Sequence, residues 1–142
     1  MIQIAGVEFG QYKSVTDVFL EACGKYASKP AFSCMGQSLS FTEMDRLTAN
    51  FASYLQNHTD LQVGDRIAIQ LPNVLQFPIA VFGAMRAGMV VVSTNPLYTA
   101  REMEHQFNDS GAKALVVYAG MAHLAEAVVP KTGITKVLVT EL

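Results

Sequence analysis

The chain has 142 residues, 51% of them hydrophobic and 15% charged, with a formal net charge of −2. That length can bury one sizeable core, and the composition excludes a disordered or solvating segment. The weak negative charge, with Arg46, Lys113, Lys131 and Lys136 scattered along the chain, argues against a nucleic-acid partner, because displacing counterions needs clustered cations.

The low share of charge has two readings: apolar surface belonging against a further part of the protein, or a well-buried parallel sheet. Met1-Ile2-Gln3-Ile4 lacks the charged-then-apolar order of a secretory leader, which points to the cytoplasm. A first helix is expected from Ser14 to Ala27, with Val15, Val18, Phe19, Ala22 and Tyr26 on its buried face. Ser14 and Asp17 stand where an N-cap and a first-turn acid belong. Lys29-Pro30 stops the helix. Ala31 to Met35 and Gln37 to Phe41 then read as a hairpin turning at Gly36. Ser40 and Glu43 have capping-box spacing, as do Thr42 and Asp45, ahead of a helix with Met44, Leu47, Phe51 and Leu55 in one stripe.

Beyond Gly64 the pattern changes. Arg66–Gln70 is an expected strand, followed by a helix near Leu75 to Ala87 that Gly88 ends. Val90–Ser93 is the next strand, and a helix capped by Thr99 and Glu102 carries Met103 and Phe107 inward as far as Gly111. Ala114–Tyr118, a short helix from Met121 to Val129, and a strand at Lys136–Thr140 complete the series. The strand centres Ile67, Val91, Val116 and Leu138 lie about two dozen residues apart, room for one crossover helix each. Near-continuous Val, Ile, Leu and Ala strands suit a parallel sheet covered on both faces. The expected class is α/β: three layers, a mostly parallel sheet with helices on both faces, plus a short N-terminal hairpin. The window Phe77–Val92 is interrupted by Arg86, Pro78, Gly83 and Gly88 and is too short for a span of about 20 residues, so any membrane contact is peripheral.

Catalytic signatures are few. There is no GxGxxG turn and no GxSxG elbow, and Gly83 and Gly88 are followed by Met89-Val90 where a phosphate loop needs Lys-Ser/Thr. His58, His105 and His123 share no metal spacing, and Cys23 and Cys34 form no CxxC and are read as reduced. No residue is therefore assigned to catalysis, cofactor or metal. A ligand of an open α/β sheet sits outside the carboxyl ends of the strands. The polar groups expected there are Asn73, Asn95 and Tyr98, the candidate substrate-binding residues. Each has a structural alternative: Asn73 as a helix cap, Asn95-Pro96 as a turn, Tyr98 as packing.

Leu39-Ser40-Phe41-Thr42-Glu43-Met44, Val63-Gly64-Asp65-Arg66-Ile67-Ala68, Leu71-Pro72-Asn73 and Met85-Arg86-Ala87-Gly88-Met89-Val90 follow in an order that resembles the adenylate-forming superfamily. Thr94-Asn95-Pro96-Leu97-Tyr98-Thr99, then Glu102-Met103, resembles its acyl-CoA synthetases, and among them the long-chain fatty acid–CoA ligases. The resemblance covers about Ser14 to Leu142. It implies that residues 1–142 are the N-terminal part of the large adenylation domain, ending before the ATP-binding motifs. It further implies a two-step ligase using fatty acid, ATP with Mg2+, and CoA by way of an acyl adenylate. None of these ligands is expected to bind this piece, which is a scaffold and inactive alone. In some relatives the region is a dimer contact, so self-association is also implied. Two rivals stay open: a ligase for another carboxylic acid, and a stand-alone flavodoxin-like binding or regulatory module.

Overall fold

The computed structural model describes residue 10 and residues 12–141. The opening Met1–Ile4, read above for its lack of a leader, lies outside them, as does Leu142. The elements follow the expected order: α1 (Val15–Lys25), β1 (Pro30–Cys34), β2 (Gln37–Ser40), α2 (Phe41–His58), β3 (Arg66–Gln70), α3 (Gln76–Arg86), β4 (Val90–Ser93), α4 (Ala100–Ser110), β5 (Ala112–Tyr118), α5 (Ala122–Val128) and β6 (Lys136–Thr140). Short 3₁₀ turns flank α5 at Ala119–Met121 and Val129–Lys131.

β1 and β2 pair antiparallel, and the other four strands form a parallel sheet in the order β4-β3-β5-β6. The class expected from strand spacing is therefore the class observed. Ile67, Ile69, Leu71, Ala114 and Val116 pack with Leu55 of α2 and with Ala80 and Ala84 of α3 on one face of the sheet. Ala68, Leu115 and Val117 pack with Met103 and Phe107 of α4 and with Ala125 and Val128 of α5 on the other. Central β3 and β5 are buried on both faces, which is why their sequences are apolar runs without alternation.

Two capping boxes set helix starts. Ser40 Oγ accepts the Glu43 N–H at 3.2 Å while the Glu43 carboxylate accepts the Ser40 N–H at 2.8 Å; Thr99 and Glu102 repeat the arrangement. The alternative box at Thr42 and Asp45 does not form, because the Thr42 hydroxyl donates to the Ala27 carbonyl instead.

The inward face of α1 needs correcting. Phe19 and Cys23 are buried, whereas Val15 (59%) and Val18 (45%) are exposed. Phe19 stacks on Phe82 of α3 at 4.2 Å between centroids, and this contact fixes the helix's rotation. The apolar arc of α1 is too broad for periodicity alone to choose a side. On α2 the buried line is Met44, Thr48, Ala52 and Leu55, with Leu47 and Phe51 only half-buried. Thr48 tolerates burial because its hydroxyl donates to the Met44 carbonyl at 2.7 Å. α2 and α3 approach so closely that a Cβ on Gly83 would meet Phe51 Cδ1 at 2.8 Å, so this glycine serves helix packing.

Candidate functional site

The chain leaves β3 toward β4 on one side and then returns past β3 to β5 on the other. The carboxyl ends of β3 and β5 thus flank the switch point at which ligands of open sheets bind. Leu71–Leu75 follows β3, Thr94–Thr99 follows β4, and Tyr118–Met121 follows β5. At the far side Gln76, opening α3, donates from Nε2 to the Glu141 carbonyl at 2.8 Å, joining the start of α3 to the end of β6. Beneath it lies a pocket of about 150 Å³ lined by Phe51, Leu71, Ile79, Val116 and Thr140.

The three candidates have different surroundings. Asn95 is exposed, but its Oδ1 accepts the Leu97 N–H at 2.9 Å and its carbonyl accepts the Tyr98 N–H at 3.1 Å, so it builds its own turn. Tyr98 is half-buried against the Met103–Phe107 side of the core, in its structural role. Asn73 does not cap α3; Leu75 is the N-cap and makes no side-chain bond. Asn73 is exposed, and its carbonyl accepts the Cys34 thiol at 3.3 Å. It also borders a groove of about 390 Å³ between β1 and α3. The structure therefore does not gather the three into one cluster.

Two glutamines were missed in the sequence. Gln70, the last residue of β3, is fully buried and donates from Nε2 to the Asn95 carbonyl at 3.3 Å. Gln106 of α4 donates to the Ser93 carbonyl at 3.2 Å. Together they hold the chain where it leaves β4, and the Oε1 of each has no partner among the described residues. The available signal was a glutamine directly after the apolar run Ile67–Ile69. Arg86, read only as an interruption, donates to the Asp45 carbonyl at 2.9 Å, the Asp45 carboxylate at 2.6 Å and the Thr48 hydroxyl at 2.9 Å. It stitches α3 to α2.

Electrostatics concentrate away from the crevice. Asp65, before β3 at the opposite end of the sheet, accepts the Gln62 N–H at 2.8 Å and pairs with Lys113 at 2.7 Å. Those two donors, the backbone one foremost, hold its carboxyl below the usual range. The Ser40 N–H and hydroxyl do the same to Glu43, as the Thr99 hydroxyl and N–H do to Glu102. Cys23 and Cys34 are free thiols, and burial pushes the Cys23 thiol up. Among the described residues no three His, Cys, Asp or Glu side chains gather as a metal site would require. None of their helices is long and apolar enough to cross a membrane.

The sequence profile of the AMP-binding enzyme family matches residues 19–141. A long-chain-fatty-acid–CoA ligase of Escherichia coli O6:H1 is 47% identical over 132 residues, which are 93% of this chain and 24% of that protein. The chain thus spans about a quarter of the length of the curated relatives it matches. A crystal structure of a long-chain-fatty-acid–CoA ligase from Archaeoglobus fulgidus superposes with TM-score 0.80 at 27% identity, covering 88% of this chain and 27% of that one. An anthranilate–CoA ligase bound to anthranoyl-AMP gives TM-score 0.84 over 91% of this chain and 25% of its own, and at 18% identity it supports the fold alone. Matched along most of its length by the family profile and by a relative at 47% identity, the chain belongs to the AMP-binding enzyme family.

Proposed function

We propose that this chain is the N-terminal quarter of an ATP-dependent long-chain fatty acid–CoA ligase. The observation that carries the proposal is the 47% identity to such a ligase over 93% of this chain. In the reaction, a fatty acid carboxylate oxygen attacks the α-phosphorus of ATP and diphosphate leaves, giving an acyl adenylate. The CoA thiolate then attacks the acyl carbon and AMP leaves. Negative charge builds on the phosphate oxygens in the first step, so preorganised donors or Mg2+ must face them. The described residues supply a sheet with its strand ends, and the phosphate donors belong to the rest of the enzyme. Of the three candidates Asn73 is kept for substrate contact in this reading, supported by its exposure beside the groove, whereas Asn95 and Tyr98 are engaged in their own loop and core.

The piece alone is a scaffold without ligase activity. Two free thiols fit the reducing cytoplasm. Contact with a membrane, where it occurs, is peripheral. Self-association belongs to the same reading: β6 is an edge strand whose Val137 and Val139 are exposed. Monomer alone in concentrated sedimentation runs would remove it.

The test is a graft. Residues 10–141 replace the matched stretch of the Escherichia coli relative, and fatty acid-dependent diphosphate release is measured. The folded graft is expected to release diphosphate with long-chain acids, and the 142-residue chain to release none. A folded but inert graft, or AMP formation by the chain alone, would overturn the proposal.

A further inference from the structure

Gln70 closes β3, between β4 and β5, and has no exposed surface. Side chains alternate along a strand, so Gln70 turns to the same face as Ala68, the face that α4 and α5 cover. Gln106 lies one turn beyond Met103, on the side of α4 that packs down on that face. The two side-chain amides reach one stretch of chain. Gln106 Nε2 donates to the Ser93 carbonyl at 3.2 Å, and Gln70 Nε2 donates to the Asn95 carbonyl at 3.3 Å. Between them the Thr94 N–H donates to the Ile69 carbonyl at 3.1 Å.

These bonds fix which end of each amide is the oxygen, because reversing either would set an acceptor against a carbonyl. Both Oε1 atoms are then buried acceptors, and among the described residues nothing donates to either. Buried acceptors in folded proteins almost always have a donor. The hydroxyl of buried Thr94 donates to the Val92 carbonyl at 3.4 Å, and the side chains of Ala68, Met103 and Val117 on this face offer no donor. The Asn95 N–H makes no backbone bond among the described residues. In extended backbone it opens to the same side as the Ser93 carbonyl that Gln106 holds.

We infer that one buried water molecule sits between Gln70 and Gln106, donating a hydrogen to each Oε1 and accepting the Asn95 N–H. Water has the chemistry the place requires. It brings two donors for two acceptors, and a buried water commonly makes about three hydrogen bonds. A metal cation suits it poorly, because the Asn95 N–H turns its positive end to the same point. A larger ligand has no way in, since Gln70 has no exposed surface. With the water in place, Ser93, Thr94 and Asn95 are held in succession by α4 and β3. The Thr94–Thr99 loop then starts from a fixed point beside the switch point of the sheet.

The test reads water contacts on the 142-residue chain by NMR. Rotating-frame Overhauser peaks are recorded between water and the side-chain amide protons of Gln70 and Gln106, their sign separating a bound water from proton exchange. Both residues are expected to show the peak. Gln70→Met, close in volume, removes one acceptor. It is expected to erase the Gln106 peak as well and to speed exchange of the Thr94 and Tyr98 amides by about threefold or more. Asn57→Ala, which removes a side-chain amide on α2, leaves peaks and rates unchanged. A crystal structure of the parent chain reads the same point without a substitution, as one water oxygen about 3 Å from both Oε1 atoms. The inference is overturned when that water is missing from the crystal or the Gln70 peak is missing from the folded parent. It is equally overturned when the Gln106 peak survives in folded Gln70→Met, or when scalar coupling shows the Asn95 N–H bonded directly to Gln106 Oε1.

Discussion

The two sheets of this molecule are finished to different degrees. In the parallel sheet Ile67, Ala68, Ile69, Leu115 and Val117 are fully buried, with helices against both faces. In the hairpin no residue of β1 or β2 reaches full burial, and Phe32 (37%) and Met35 (82%) at its tip are open to solvent. Its hold on the body is narrow: Ala31, Leu39 and Phe41 lean on Phe19, Cys23 and Met44, and the Phe41 N–H bonds the Lys29 carbonyl at 3.1 Å. The contrast teaches that one region is packed on both faces, while the other leaves apolar side chains open to solvent.

The sharpest way to break the comparison is to hollow out each region in turn. Phe107→Ala, at a site with no exposure, is expected to cost about 3–5 kcal/mol as a shift of the urea midpoint. Phe32→Ala on the hairpin is expected to cost under about 1 kcal/mol. Equal losses would mean that the hairpin is as closed as the sheet.

Arg86 tests the seam. Its guanidinium joins α3, which covers the sheet, to Asp45 and Thr48 on α2, which continues from the hairpin. Arg86→Ala removes charge-assisted bonds and is expected to cost about 1–3 kcal/mol, the lower part being favoured because half of the Asp45 side chain is in water. Fluorescence of a tryptophan placed at Phe32 and far-UV dichroism should lose their shared unfolding midpoint in this variant. Coincident transitions would show that the seam does not couple the two regions.

How legible was this in the sequence? The parallel sheet was, because β3, β4, β5 and β6 are short apolar runs at regular intervals, and the capping spacings of Ser40 with Glu43 and Thr99 with Glu102 mark helix starts directly. The side of α1 that turns inward was not, since it depends on Phe82, more than sixty residues away in sequence. The candidate site was legible only as a place. Strand ends follow from topology, but whether an Asn there is free depends on local bonds such as the Leu97 N–H to Asn95 Oδ1. Gln70 and Arg86 escaped because their partners, Asn95 and Asp45, are 25 and 41 residues away. No spacing rule covers such distances.

The two capping boxes sharpen the comparison on a finer scale, one standing between hairpin and α2 and the other within the parallel half. Thr99→Ala and Ser40→Ala should each cost about 1 kcal/mol in urea unfolding. If the hairpin is held mainly by its exit into α2, only Ser40→Ala should also speed exchange of the Phe32 and Leu39 amides, which pair across the hairpin. Faster exchange of those amides in Thr99→Ala would mean that the two regions fray together.

The smallest expected effect concerns pH and belongs to the parallel half. Asp65 ties the Gln62 N–H and Lys113 of β5 together at the amino end of the sheet, and these donors hold its carboxyl below the usual range. The unfolded chain therefore takes up this proton first as pH falls. Asp65 contributes its full stability above the ordinary carboxylate value of about 4 and loses it progressively as pH drops through the folded value. Asp65→Asn should thus lower the urea midpoint at pH 7 and flatten its fall below about pH 4 relative to the parent chain. Because Lys113 is more than half exposed (54%), the ion pair itself adds little. Lys113→Met should then leave most of the acid slope in place, with the Gln62 bond carrying it. If Lys113→Met flattened the slope as fully as Asp65→Asn, the ion pair rather than the backbone bond would be what secures this end of the sheet.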